Sequence, residues 1–81
     1  MTIKLFGIAG DIVGKTNLSL PKSDWAGIQN VAALKAYLYK TYPALGELSS
    51  LAIAVNKSYA REDTVIDSSD EIALIPPVSG G

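Results

Sequence analysis

Residues 71–81 read Glu71-Ile72-Ala73-Leu74-Ile75-Pro76-Pro77-Val78-Ser79-Gly80-Gly81. The first half alternates: Ile72 and Leu74 share one face and Ala73 and Ile75 the other, which predicts a half-buried strand over residues 71–75. Pro76 and Pro77 lack backbone N–H groups and hold φ near −65°, so a fully bonded strand cannot continue through them. The sequence therefore predicts a folded domain over residues 1–75 and a flexible tail over residues 76–81, launched from the last strand. Extended beyond Ile75, that tail would reach roughly 20 Å at ~3.3 Å per residue.

A Gly-Gly end has a specific chemical use. A terminal carboxylate is a poor electrophile until it is converted to an acyl-adenylate, and a partner enzyme reaches it by drawing the tail through a narrow channel. Glycine has no Cβ to obstruct that passage or to shield the carbonyl. Taken alone, the same ending also fits a frayed terminus or a residue of cloning.

Working outward, residues 2–7 alternate Ile3 and Leu5 against Lys4 and Phe6, a second strand with one buried face. Phe6 then falls on the side away from the core, where an apolar residue hints at a partner surface. If this strand neighbours the last one, Ile75 joins Phe6 there. The spacing of Ile8, Ile12 and Val13 fits one or two helical turns closed by Gly14. Residues 15–20 alternate again, Leu18 and Leu20 inward and Asn17 and Ser19 outward, and Pro21 ends them.

Residues 21–29 are polar with a single aromatic, Trp25, which reads as a lid over the core edge rather than a ligand-stacking ring. Asn30 is an N-cap for a helix that Pro43 stops, with Val31, Leu34 and Leu38 as its buried stripe. Tyr37 and Tyr39 read as amphipathic packing residues. After a loop through Gly46, residues 51–56 form a strand in a covered sheet, followed by an Asn56-Lys57 turn and a short strand over residues 58–60. Val65 and Ile66 are expected to return to the core. Asp67-Ser68-Ser69-Asp70 reads as a polar turn whose side-chain oxygens bond nearby N–H groups; two aspartates are too few ligands for calcium, and no metal site is expected.

Composition narrows the functions. The 81 residues are 48% apolar and 19% charged, one small domain with a folded core. Seven basic and eight acidic residues give a formal charge of −1 without a like-charge cluster, so neither nucleic acid nor an anionic membrane is an expected partner. The absence of cysteine and histidine removes thiol nucleophiles, persulfide carriers, disulfides, most zinc sites and imidazole acid–base catalysis. No apolar run approaches the ~18 residues of a membrane span, and no secretory signal is evident, so the expected compartment is the cytoplasm.

The order strand, strand, helix, strand, short strand, strand predicts an α+β fold: a mixed sheet of about five strands with one main helix packed on one face and a free tail, the first and last strands parallel at its centre. This is the β-grasp, or ubiquitin-like, architecture. Within it, residues 72–81 resemble the C-terminal signature of the molybdopterin synthase small subunit family, the sulfur carriers of molybdenum cofactor biosynthesis. The opening Ile3-Lys4-Leu5-Phe6-Gly7, the helix start Val31-Ala32-Ala33-Leu34 and the strand end Ala54-Val55-Asn56 are similar to that family as well. One departure is Ser68-Ser69-Asp70-Glu71, where the family often has an Asp-Gly-Asp-Glu turn.

The resemblance implies a chain that carries sulfur as a terminal thiocarboxylate. Gly81 would be adenylated by a ubiquitin-activating-like adenylyltransferase using ATP and magnesium, and a sulfurtransferase system would replace AMP with sulfur. The tail would then enter the molybdopterin synthase large subunit, which supplies the acid and base groups, and deliver sulfur to cyclic pyranopterin monophosphate to build the dithiolene. Gly80 and Ser79 would thread the channel, and Val78, Pro77 and Pro76 would set the trajectory. Phe6 and Ile75 would contact the partner, in a two-plus-two heterotetramer. The chain itself would bind no cofactor and act as a non-catalytic, sulfur-carrying subunit. Rival readings are a sulfur carrier for thiamine, cysteine or tRNA thiolation, and a ubiquitin-like protein modifier.

Overall fold

The computed structural model describes residues 1–48 and 50–76. Strand β1 (Thr2–Leu5) pairs antiparallel with β2 (Asn17–Ser19), setting Ile3 opposite Leu18 on the core side and Lys4 opposite Asn17 on the outer side. The connection holds a short helix, α1 (Ile8–Val13), which turns Ala9 into the core and leaves Ile8 exposed. Gly14 ends it in the left-handed conformation, φ 84° and ψ 17°, and donates its N–H to the Gly10 carbonyl at 2.7 Å. That is the expected glycine cap.

A one-turn helix, α2 (Lys22–Trp25), follows Pro21 where the sequence suggested only a polar stretch. Trp25 is half-buried against the core edge, as a lid would be, and Ile28 beyond it is buried. The main helix, α3 (Val31–Thr41), buries Val31, Leu34 and Leu38, the stripe its three- and four-residue spacing predicts. Its start is well satisfied. Asn30 Oδ1 accepts from the Ala33 N–H at 2.9 Å, while the Val31 and Ala32 N–H groups donate to the carbonyls of Thr64 and Glu62 at 3.0 and 2.9 Å. Helix N-terminal donors have no partner inside the helix, so the loop over residues 62–64 takes the place of water there. Replacing Asn30 with alanine removes one of these acceptors, and chemical denaturation is expected to show a loss of about 1 kcal/mol; an unchanged midpoint would mean that the loop carbonyls suffice.

The same loop corrects one expectation. Ile66 returns to the core, but Val65 is 77% exposed. Val65 forms an isolated bridge with Asn30, and the Ile66 N–H donates to the Gln29 carbonyl at 3.0 Å. In extended backbone successive side chains point opposite ways, so burying Ile66 turns Val65 outward.

Pro43 ends α3 and opens a 3-10 helix, Pro43–Glu47, that seats Leu45 fully in the core. Strands β3 (Ala52–Val55) and β4 (Ser58–Tyr59) are joined by Asn56 and Lys57, both at positive φ, 52° and 70°. Two left-handed residues linking paired strands match the twist of a tight hairpin. The last strand, β5 (Ile72–Ile75), lies between β1 and β3, giving the order β2-β1-β5-β3-β4. It runs parallel to β1 and antiparallel to β3. Ile3, Leu5, Ile53, Ile72 and Leu74 face α3 in one core cluster. This mixed five-stranded sheet with a helix across it is the β-grasp arrangement expected from the sequence.

Before β5, Asp67 accepts from both the N–H and the hydroxyl of Ser69, and Asp70 Oδ2 accepts from the Asp67 N–H at 2.9 Å. The turn is built by side-chain oxygens, as predicted. Asn56 and Lys57 are the non-glycine residues with positive φ among those described, so Ser69 needs no glycine-like conformation where the family pattern has glycine.

Candidate interaction face and tail exit

The pleat that sends Ile3, Leu5, Ile72 and Leu74 toward α3 sends their neighbours to the other side of the sheet. Register brings those neighbours together. Lys4 lies beside Ala73 across the β1–β5 ladder, Ala73 lies opposite Ala54 on β3, and Ala54 lies opposite Tyr59 on β4. The alanines form a low floor. Phe6 and Ile75 stand at one end of it, while Tyr59, Lys57 and the Lys4–Glu71 pair border the rest, enclosing a shallow groove of about 310 Å³. Phe6 is 50% and Tyr59 75% exposed.

The charged border is held in place from below. The Asn56 N–H donates to the Glu71 carbonyl at 2.7 Å and the Glu71 N–H returns to Asn56 Oδ1 at 2.9 Å. Asn56 Nδ2 also donates to Asp70 Oδ1 at 3.0 Å. The left-handed hairpin turn is thereby tied to the start of β5, and the Glu71 carboxylate meets Lys4 Nζ at 2.8 Å. The Lys4 ammonium, through its hydrogen bond and its charge, holds the Glu71 carboxyl below the usual glutamate range, with Lys57 adding to the effect. A lowered carboxyl pKa stabilises the fold above the unfolded value near 4.3 and stops doing so as pH falls through the folded one. Acid titration of the thermal midpoint is therefore expected to be slightly steeper for the native chain than for Lys4→Met as pH falls below the unfolded value near 4.3. Parallel curves would mean that this exposed pair contributes nothing.

The last described residues, Ile75 and Pro76, lie at the apolar end. The Phe6 N–H donates to the Leu74 carbonyl at 3.3 Å, continuing the parallel ladder one step beyond β1. Gly7 then turns away toward α1 with φ 54° and ψ −135°, and the half-buried Pro76 passes beside it. The structure thus brings together Phe6, Ile75 and Pro76 of the predicted site residues. Pro77, Val78, Ser79, Gly80 and Gly81 lie outside the described residues. Sequence reasoning missed Lys4, Ala54, Lys57, Tyr59, Glu71 and Ala73 as groove residues; the run of small residues at alternate positions, Ala52, Ala54 and Ala73, was the available signal. Among the described residues no cluster of acidic side chains could hold a metal ion, and no helix is long and apolar enough to cross a membrane.

A mixed five-stranded sheet backed by a helix, with the first and last strands parallel at its centre, places the molecule in the ubiquitin-like β-grasp class. Within that class the chain belongs to the ThiS family, whose model matches residues 3–81. It is 37% identical over 83 residues to the molybdopterin synthase sulfur carrier subunit of Dictyostelium discoideum, covering 98% of this chain and 93% of that one. Among solved structures it is similar to the small archaeal modifier protein 1 of Methanosarcina acetivorans, with a TM-score of 0.76, 27% identity, and 99% and 94% of the two chains covered. It is also similar to a chain in the complex of subunits 1 and 2 of the molybdopterin-converting factor of Helicobacter pylori 26695, with a TM-score of 0.64, 25% identity, and 99% and 96% covered.

Proposed function

We propose that this chain is the sulfur carrier subunit of a molybdopterin synthase and works through a thiocarboxylate at Gly81. The observation that carries the reading is the juxtaposition at one end of the sheet: β5 delivers Ile75 beside Phe6 and passes directly into Pro76, so that docking of this face aims the following residues at a partner's active site. Family membership and the similarity to sulfur carrier subunits support it.

In this reading a carboxylate oxygen of Gly81 attacks the α-phosphorus of ATP on an adenylyltransferase that supplies the magnesium, and pyrophosphate leaves. A sulfurtransferase system then replaces AMP at the carbonyl with sulfur. Ser79 and Gly80 occupy the channel because they are small, and Pro76, Pro77 and Val78 restrict the directions the tail explores. Phe6 and Ile75 contact the large subunit, which provides the acid and base groups for transfer to cyclic pyranopterin monophosphate. The similarity to one chain of a two-subunit converting factor supports such a partner.

The test is the intact mass of the chain after co-expression with the adenylyltransferase and a sulfur source. Exchange of one oxygen for one sulfur, lost when Gly81 is removed, is the expected result. The similarity to a small archaeal modifier protein favours a second reading, ligation of Gly81 to lysines of other proteins. Adducts on other proteins, with an unmodified free chain, would select it and overturn the first. Complementation of strains defective in molybdopterin, thiamine, cysteine or tRNA thiolation separates this pathway from those of other sulfur carriers.

A further inference from the structure

The hairpin tip between β3 and β4 holds two residues at positive φ, and they are not equally suited to it. A two-residue turn of this hand favours asparagine first and glycine second, because a Cβ crowds the backbone in the left-handed region and glycine has none. Asn56, at φ 52°, fits that pattern. Its N–H and side-chain oxygen exchange hydrogen bonds with the Glu71 backbone, and its Nδ2 donates to Asp70. Lys57, at φ 70°, occupies the glycine position. The ion pairs among the described residues are Lys4–Glu71 and Lys35–Glu62, and Lys57 takes part in neither. A side chain kept where glycine would fold more easily points to a use outside folding.

The groove supplies one. Lys57 lines it at the end where β5 begins, since the Asn56 N–H bonds to the Glu71 carbonyl. Of the charged side chains on that border, Lys4 and Glu71 neutralise one another at 2.8 Å. The nearby Asp70 carboxylate already accepts from Asn56 Nδ2 and from the Asp67 N–H. One positive charge is left over at the groove, on a chain whose formal charge is −1. Phe6 and Ile75 stand at the other end; from Glu71 to Ile75 the strand advances roughly 13 Å at ~3.3 Å per residue. We infer that Lys57 is a specificity-determining residue of this face: its ammonium receives a carboxylate of the large subunit, presented about 13 Å from the apolar group that covers Phe6 and Ile75. The inference rests on the docking proposed above and adds an ionic point of recognition to the apolar one. An ion pair at the edge of a groove selects among partners and fixes register more than it adds affinity, whereas Phe6 and Ile75 supply the burial. A surface that matched the apolar end but offered a cation at the other would meet like charge and be rejected.

The experiment titrates the full chain into the large subunit in native, Lys57→Gly, Lys57→Gln and Phe6→Asp forms, at about 0.05 and 0.5 M salt. Lys57→Gly relieves the left-handed backbone, and is expected to raise the thermal midpoint by roughly 4 °C while weakening binding about tenfold at the lower salt. Lys57→Gln keeps the backbone cost and removes only the charge. It should weaken binding to the same extent and flatten the salt dependence. A residue that served the turn alone would move the midpoint and leave affinity and salt dependence as in the native chain. The acidic residues of the large subunit are then replaced one at a time by their amides. One replacement is expected to weaken the native chain about tenfold and the Lys57→Gln chain not at all, the coupling that identifies an ion pair. Native affinity in Lys57→Gln, or no coupled acidic residue, overturns the inference; if Phe6→Asp is weakened all the same, the docking face itself stands. If Phe6→Asp also binds as the native chain does, or the native chain does not bind, the proposed docking fails and Lys57 with it.

Discussion

Removing Gly81, or adding one residue after it, is expected to reduce adenylation and thiocarboxylate formation to background while leaving thermal unfolding unchanged. The size of the effect follows from where the reacting atom sits. In the proposed mechanism the electrophile is the last carbonyl, and extended backbone advances ~3.3 Å per residue. One residue more or fewer moves the carboxylate by far more than the tolerance of a near-attack geometry. Stability is expected to be unaffected because the buried core of the described residues runs from Ile3 to Leu74. Pyrophosphate release and intact mass measure the first half of the prediction, and calorimetry the second. A truncated chain that still acquired sulfur would remove the tail mechanism altogether.

Phe6→Asp is expected to weaken binding to the large subunit by about 1–3 kcal/mol, or roughly 5- to 150-fold in Kd. The ring is half-exposed at the end of an alanine-floored groove, and a partner side chain filling that groove would take the ring and its neighbour Ile75 out of water together. A carboxylate there loses the apolar contact and must also be desolvated without an arranged partner. Val65→Asp is the matched control, since Val65 is more exposed still but lies by the start of α3 and outside the groove. Isothermal titration should separate the two substitutions. Equal affinities for native and Phe6→Asp chains would mean that docking occurs elsewhere.

Different parts of this molecule were legible in the sequence to different degrees, and the reasons are physical. Helix α3 was plain because Asn30 and Pro43 mark its ends and Val31, Leu34 and Leu38 repeat at the helical period. The central strands were plain because Ile3 with Leu5 and Ile72 with Leu74 repeat at the period of a strand. Ala9, Ile28 and Leu45 are buried without any such repeat, each in a turn or short helix whose placement depends on the rest of the fold. Val65 was misjudged for a related reason: two adjacent apolar residues in extended backbone cannot both face one core, and nothing local says which will. The pairing of Phe6 with Ile75 could be inferred once the end strands were taken as neighbours. The charged border could not, because Lys4 meets Glu71 only through the β1–β5 register, 67 positions apart in sequence.

The central position of β5 also bears on how copies of this chain are made. Translation proceeds from the N-terminus, and until residues 72–75 have been synthesised the hairpins β2–β1 and β3–β4 have no strand to join them. A nascent chain stopped short of that point presents unpaired edges and an open core, the features by which chaperones and proteases find incomplete products. The strand that closes the sheet is the one that leads into residues 76–81. A ribosome that stalls before residue 72 therefore releases a chain whose two hairpins have no central strand between them.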